Sequence, residues 1–147
     1  MNKEFIPYEQ ALKLKKLGFN ENCMFPYHSN NTEYVDSTHV ELVNYNATEK
    51  LVSAVLYQQA FRFFREKYKL RFIIQSSMSD LGEYFKLIFP DGEYRGMAYP
   101  TYEEAELACL IKLIELAKHK IDATSQWISD EVDKMVLEQL IEIAKSK

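Results

Sequence analysis

The stretch that decides the fold is Tyr84–Tyr99, YFKLIFPDGEYRGMAY. Its first half alternates between two faces, as in a strand with one buried side, and one face carries Phe85, Leu87 and Phe89. The other face carries Tyr84, Lys86 and Ile88. Residues 90–93, Pro-Asp-Gly-Glu, are typical of a tight turn, after which Tyr94–Tyr99 returns as a second strand. The stretch therefore predicts an antiparallel hairpin.

A helix and a further strand precede this hairpin. Over residues 53–68 the apolar side chains recur three and four positions apart, as on one face of an amphipathic helix. They are Leu56, Tyr57, Ala60, Phe61, Phe64 and Tyr68. The next segment, Arg71–Gln75, is interpreted as a strand that joins the hairpin in one sheet.

A long helix follows the hairpin. Thr101 as N-cap and Glu104 three residues later form the two ends of a capping box, and the helix is expected to run to about His119. Residues 53–120 thus predict an α-β-β-β-α core. Because the connections are short and antiparallel, both helices should pack on one face of an antiparallel three-stranded sheet, which makes the fold class α+β.

Apolar residues extend too far around the 101–119 helix for one sheet face to cover them all. The expected cover is an extra C-terminal helix at about residues 129–145, within the segment 125–147. Asp130 and Glu131 in its first turn complement the helix dipole. The sequence leaves open whether this cover comes from the same chain or from another subunit.

The first fifty residues add further elements to this core. Pro7 and Gly18 bracket a short N-terminal helix. From Cys23 to about Val43 the pattern is extended and predicts a loose hairpin plus an edge strand, with a polar turn at residues 29–32 and a strand at Tyr34-Val35. The chain of 147 residues is expected to form a single domain, residues 1–147.

The composition of the chain excludes several classes of function. Ten Tyr and nine Phe with only four Gly and four Pro indicate a packed globule. A net charge of −4 and a pI near 5.4 disfavour a general polyanion binder. The N-terminus lacks the apolar run of a signal peptide, and no stretch approaches the length of a membrane span. We therefore expect a cytoplasmic protein without a membrane partner.

Residues that could support chemistry are few. Cys23 and Cys109 are interpreted as free thiols, and nothing in their spacing pairs either one with a histidine base at His28, His39 or His119. A metal site from Cys23, His28 and His39 with Asp36 or Glu33 would match no compact zinc motif. The carboxylates of Glu103, Glu104 and Glu106 are those of an ordinary helix N-terminus. The sequence therefore predicts no catalytic residue, metal or cofactor, and no enzyme activity.

One charged feature remains. Residues 62–71 carry a cationic run that, with Glu66, has a net charge of +4 in an acidic chain. The run, hereafter the basic run, is Arg62, Arg65, Lys67, Lys69 and Arg71. It is a candidate contact patch for an anionic partner, and the alternative is a solvated helix face. The acidic segment 121–147, with a net charge of −3, is a further possible partner for it.

The order of elements at 53–120 is similar to that of the double-stranded-RNA-binding domain. That domain needs cations where its last helix begins, whereas here Thr101–Glu106 places three carboxylates there, which would repel RNA. Three blocks, residues 4–19, 56–68 and 101–117, resemble segments of small uncharacterised proteins encoded in phage and prophage genomes of gut bacteria. That family implies no activity, cofactor or catalytic residue, and residues 121–147 extend beyond its usual end.

These observations favour a non-enzymatic phage or prophage accessory protein that acts by binding a macromolecule of the host or the phage, most simply a protein. The first alternative is a nucleic-acid-binding module that uses the basic run. The second is a structural protein that self-associates through its C-terminal helix.

Overall fold

The computed structural model describes residues 3–28, 41–78, 82–89 and 92–145. The polar turn and the strand predicted between residues 29 and 35 lie outside this part of the chain. The helices are α1 (Tyr8–Lys16), α2 (Tyr57–Lys67) and α3 (Tyr102–Lys145). The strands are β1 (Pro26–His28), β2 (Leu51–Ser53), β3 (Arg71–Ser77), β4 (Gly82–Phe89) and β5 (Gly92–Arg95). The chain forms two compact units, residues 1–115 and 116–147.

The predicted three-stranded antiparallel sheet is present, in the order β3-β4-β5. Directly opposed residues in its register share a face, so Phe72, Leu87 and Tyr94 form one row across the three strands. On this inner face Phe85 and Leu87 are buried. The alternation read from the sequence of β4 is therefore confirmed.

Both helices of the α-β-β-β-α core contact this inner face. The ring of Phe61 on α2 stacks on Phe72 at 4.1 Å between centroids. From α3, the ammonium of Lys112 lies 5.2 Å from the ring centroid of Tyr94. The α+β class and the arrangement of the helices on one face are confirmed.

The third strand differs from its predicted range. β5 ends at Arg95, and the chain returns to β4 through paired hydrogen bonds of 2.7 and 2.8 Å between the backbones of Tyr99 and Glu83. Gly96 lies between, where an added Cβ would collide with the ring of Phe85. The buried ring therefore requires glycine, and the ladder is interrupted there.

The helix predicted from residue 53 begins four residues later, at Tyr57, because Ser53 ends strand β2 and Leu56 forms an antiparallel bridge with Phe5. β2 pairs antiparallel with β1, placing Val52 opposite Tyr27. Val52, Ala54 and Val55 are buried, and the backbone N–H of Ala54 donates to the Phe25 carbonyl at 2.8 Å, so backbone pairing continues just beyond β2. Between residues 23 and 43 the described pairing is an antiparallel bridge between Cys23 and Val43, while the predicted strand at Tyr34-Val35 lies outside the described residues.

The N-terminal helix is confirmed. Pro7 is its N-cap, so the helix itself begins at Tyr8. Gly18 follows its end with φ +91°, a left-handed conformation that glycine adopts at little cost, and so ends the helix. Phe19 then turns inward and is buried.

The two helices predicted at 101–119 and 129–145 are one continuous helix, α3. Beyond Pro100 the chain contains neither Gly nor Pro, so no residue favours a stop between them. The predicted break at residues 120–128 is therefore absent, and the covering helix inferred from the sequence is not a separate element. Residues 116–145 of α3 make up the described part of the second unit.

Candidate functional site

Two adjoining surface cavities lie between the start of α2 and the start of α3, with volumes of about 420 and 350 Å³. They share Gln58, Tyr102 and Glu106. We call them together the α2–α3 groove. Its other lining residues are Lys3, Glu4, Leu56, Tyr57, Phe61, Arg62, Arg65, Phe72 and Glu103.

The groove has an aromatic floor. Phe61 is buried under it and stacks on Phe72, a half-buried residue of the edge strand β3. Tyr102, the first residue of α3, is 49% exposed. Aromatic rings that stay partly accessible are common at the centres of protein-binding surfaces.

One wall of the groove is cationic. Arg62 and Arg65 lie three positions apart on α2 and therefore point to the same side of the helix. The Arg62 guanidinium donates to Glu21 Oε2 at 2.7 Å, and this hydrogen bond raises the pKa of Arg62. Arg65 is exposed, and none of the described residues forms an ion pair with it. Arg65 is thus the cation of this wall available to a ligand.

The opposite wall is acidic. Glu103 lies 3.4 Å from the ammonium of Lys3, and the pKa of Glu103 is lowered by its own backbone hydrogen bond and by Lys3. Glu106 is half-buried, and burial followed by the charge of Glu103 raises its pKa. Burial, with a smaller effect of Glu106, also raises the pKa of Tyr57 to about 12. None of the ion pairs among the described residues includes Glu106, so the groove disfavours the ionised form of this carboxyl group.

The predicted contact patch, the basic run, does not form one surface. Arg62 and Arg65 line the groove, whereas Lys67 donates to the backbone oxygen of Leu17 at 2.9 Å. Lys69 adopts φ +58° in the turn after α2. Arg71 begins β3, where it shares a face with Ile88. The five cations of the run are thus on four different structural features. Two line the groove, one is hydrogen-bonded to the end of α1, one lies in a turn and one lies on the sheet.

The thiols lie in the interior. Cys23 and Cys109 are both free and buried, and burial raises their pKa to about 11 and about 12 respectively. Both therefore stay protonated at neutral pH, in the form that is neither a nucleophile nor a metal ligand. His39, Asp36 and Glu33 of the proposed metal set fall outside the described residues. Within the described part of the chain no group of three or more metal-binding side chains comes together.

The carboxylates at the start of α3 divide into two roles. Glu104 forms the predicted capping box, since its N–H donates to Thr101 Oγ1 at 3.3 Å and its carboxylate accepts from the Thr101 N–H at 3.1 Å. Glu103 and Glu106 instead face the groove. From the sequence, all three carboxylates were expected to complement the helix dipole. The sequence did not predict that Phe72 and Tyr102 line the groove, because no local pattern indicates it.

Comparison of the chain with protein-family models, with curated proteins and with solved structures finds no match. None of the helices in the described residues is long and apolar enough to cross a membrane.

Proposed function

We propose that this chain is a phage- or prophage-encoded accessory protein that acts by binding a protein of the host or the phage, without chemistry of its own. The main support for the proposal is the α2–α3 groove, which has an aromatic floor between a cationic and an acidic wall. The likeness of residues 4–19, 56–68 and 101–117 to small phage and prophage proteins supports the origin.

The groove favours a protein over a nucleic acid as its occupant. A polyanion would gain from Arg65 but would be repelled by Glu103 and Glu106 on the other wall. A polypeptide segment can instead present an acidic group, an apolar side chain and a basic group to one short surface. The floor of Phe61, Phe72 and Tyr102 would receive the apolar side chain, and burial of that side chain would provide most of the affinity.

A capture experiment with charge-matched variants tests this function. Tagged wild-type protein, Arg65→Glu and Lys50→Glu are each used to capture proteins from lysates of infected and uninfected host cells. Lys50 is exposed and lies outside the groove, so its substitution changes the net charge equally. We expect one protein that the wild type and Lys50→Glu retain and that Arg65→Glu loses by about tenfold or more, as for a truncated interfacial charge.

Two results would contradict the proposal. One is capture that Arg65→Glu leaves unchanged, because the groove would then have no part in it. The other is the absence of any protein retained above background at low ionic strength. Tyr102→Ala provides an uncharged second variant, since its exposed ring can be removed without opening the core.

A further inference from the structure

The strand β3 forms one edge of the three-stranded sheet. It pairs with β4 on one side, and no strand of the described residues pairs with it on the other. Its seven residues run against β4 without interruption, from Arg71 opposite Ile88 to Ser77 opposite Gly82. The other edge of the sheet, β5, has four residues. β3 is therefore the longer of the two edges.

The hydrogen bonds of β4 show which of its residues bond to β3. The Phe85 carbonyl accepts from the N–H of Gly96, which directly follows β5. Glu83 exchanges two backbone hydrogen bonds with Tyr99 on the same side. Because successive residues of a strand direct their backbone groups to opposite sides, the even-numbered residues of β4 bond to β3.

Alternate residues of β3 consequently direct their N–H and carbonyl groups away from the sheet. The partners of the even-numbered β4 residues are Arg71, Ile73, Gln75 and Ser77. The residues between them, Phe72, Ile74 and Ser76, point outwards. Within the described parts of the chain no backbone group bonds to these three residues. The edge thus presents three donors and three acceptors without a backbone partner among those residues.

The sequence of β3 contains few of the features that keep edge strands apart. Natural edges are commonly protected by proline, lysine or a bulge. Residues 71–77 contain neither proline nor lysine, and their register with β4 has no bulge. Phe72 and Ile74 are only half-buried on the inner face, and Ile73 is 44% exposed on the other face. A strand added at this edge would therefore bury further apolar surface.

We propose that β3 pairs antiparallel with β3 of a second copy of this chain, about a two-fold axis at Ile74. Ile74 then lies opposite its own counterpart, and Phe72 lies opposite Ser76 of the second copy. These pairs use all of the outward donors and acceptors of both edges, in six hydrogen bonds. The two sheets become one sheet of six strands. The pairing uses the backbone of Phe72 and not its ring, so it does not depend on the proposed function.

The distribution of charge in β3 favours this arrangement. Arg71 is the one charged residue of the strand, and it lies at the first position. In the antiparallel register each Arg71 lies opposite Ser77 of the other copy. The two arginines are then about 20 Å apart along the strands, at roughly 3.4 Å per residue. A parallel, in-register pairing would instead place them side by side, where like charges are destabilising.

The size of the contact limits the expected affinity. A single strand from each copy covers less than the roughly 1,600 Å² of total surface buried in a standard interface. The symmetric pairing is nevertheless self-complementary, as a two-fold interface must be. We therefore expect a reversible dimer, and sedimentation equilibrium of the full-length chain from the low micromolar to the near-millimolar range should detect it.

Two substitutions of Ser76 form a matched pair for this test. Ser76→Pro and Ser76→Ala both remove the hydroxyl that donates to Glu83 Oε1 at 2.8 Å. Only proline also removes the outward N–H, and proline is tolerated in edge strands where that N–H faces solvent. Ser76→Pro should weaken the dimer about tenfold or more, because each dimer loses two hydrogen bonds. Ser76→Ala should change it by less than about threefold. Circular dichroism checks that both variants are folded.

Amide hydrogen exchange of the wild type tests the same edge without any substitution. The N–H groups of Phe72, Ile74 and Ser76 should exchange more slowly as the concentration rises and dimers form. The N–H groups of Ile73 and Gln75 should change little, because they already bond to β4. Neighbouring residues of one strand thus serve as controls for each other.

Three results would overturn the proposal. The first is a chain that stays monomeric over the whole concentration range. The second is a dimer in which the exchange of the Phe72, Ile74 and Ser76 amides does not slow, because the contact would then lie elsewhere. The third is a dimer that folded Ser76→Pro leaves intact, or that Ser76→Ala weakens equally, because the outward N–H would then have no part in it.

Discussion

The α2–α3 groove and the face of the three-stranded sheet opposite Phe72 and Leu87, here the outer sheet face, both combine apolar and charged side chains, yet they are built in different ways. The groove includes Phe61, a residue that the core itself requires. The outer sheet face uses Ile73 and Ile88, whose partners across the strand are Lys86 and Arg71. The difference teaches that Ile73 and Ile88 can be substituted at little cost in stability, whereas a substitution in the floor of the groove changes folding as well as any binding there.

The largest expected effect comes from the groove floor. Phe61→Ala removes a buried ring stacked between Tyr57 and Phe72 and should lower the free energy of unfolding by about 3–5 kcal/mol, as for other buried phenylalanines. Ile88→Ala, at a partly exposed position, should cost about 1 kcal/mol or less. Urea denaturation of both variants measures the contrast. Equal costs would show that the two surfaces do not differ in this way.

A smaller effect should separate two members of the basic run. Lys67→Met removes the donor to the Leu17 carbonyl at the end of α1 and should cost about 1 kcal/mol, the typical contribution of a hydrogen bond. Arg65→Met should change the free energy of unfolding by less than about 0.5 kcal/mol, as for surface substitutions in general. Denaturant midpoints compare the two. A larger cost for Arg65→Met would mean that Arg65 is a structural residue and that the groove has no available cation.

The smallest expected effect is a pH dependence of the free energy of unfolding that arises from Glu106 in the acidic wall. Because the pKa of Glu106 is raised in the folded chain, the folded state binds more protons than the unfolded state between the ordinary value and the raised one. The free energy of unfolding therefore falls as the pH rises through that window. Glu106→Gln should melt slightly above the wild type at pH 7, and the difference should shrink towards pH 4. A variant that melts below the wild type at pH 7 would contradict this reading of the wall.

The sequence predicted those features that depend on neighbouring residues. The alternation in β4 and the Thr101–Glu104 capping box are local patterns, and both occur as expected. The start of α2 was missed because the apolar residues after Leu51 fit a helix and a buried strand equally well, and only pairing with β1 decides between them.

The candidate site depends on contacts between distant segments, which no local pattern contains. The groove joins residues from α2, β3 and the start of α3, with Lys3 and Glu4 at one side. The division of the basic run likewise depends on Glu21 and on the Leu17 carbonyl, both far from it in sequence. The sequence of α2 therefore shows that cations are present, but it does not show which of them form ion pairs or hydrogen bonds with distant residues.

Site-specific photo-crosslinking tests the central claim, that the α2–α3 groove binds a protein, most directly. A photoreactive phenylalanine analogue replaces Tyr102 at the groove or, as control, Lys50 outside it, and the cells are irradiated during phage or prophage expression. We expect position 102 to yield a covalent adduct with one host or phage protein that position 50 does not yield. No adduct at position 102, or the same adducts from both positions, would contradict the claim.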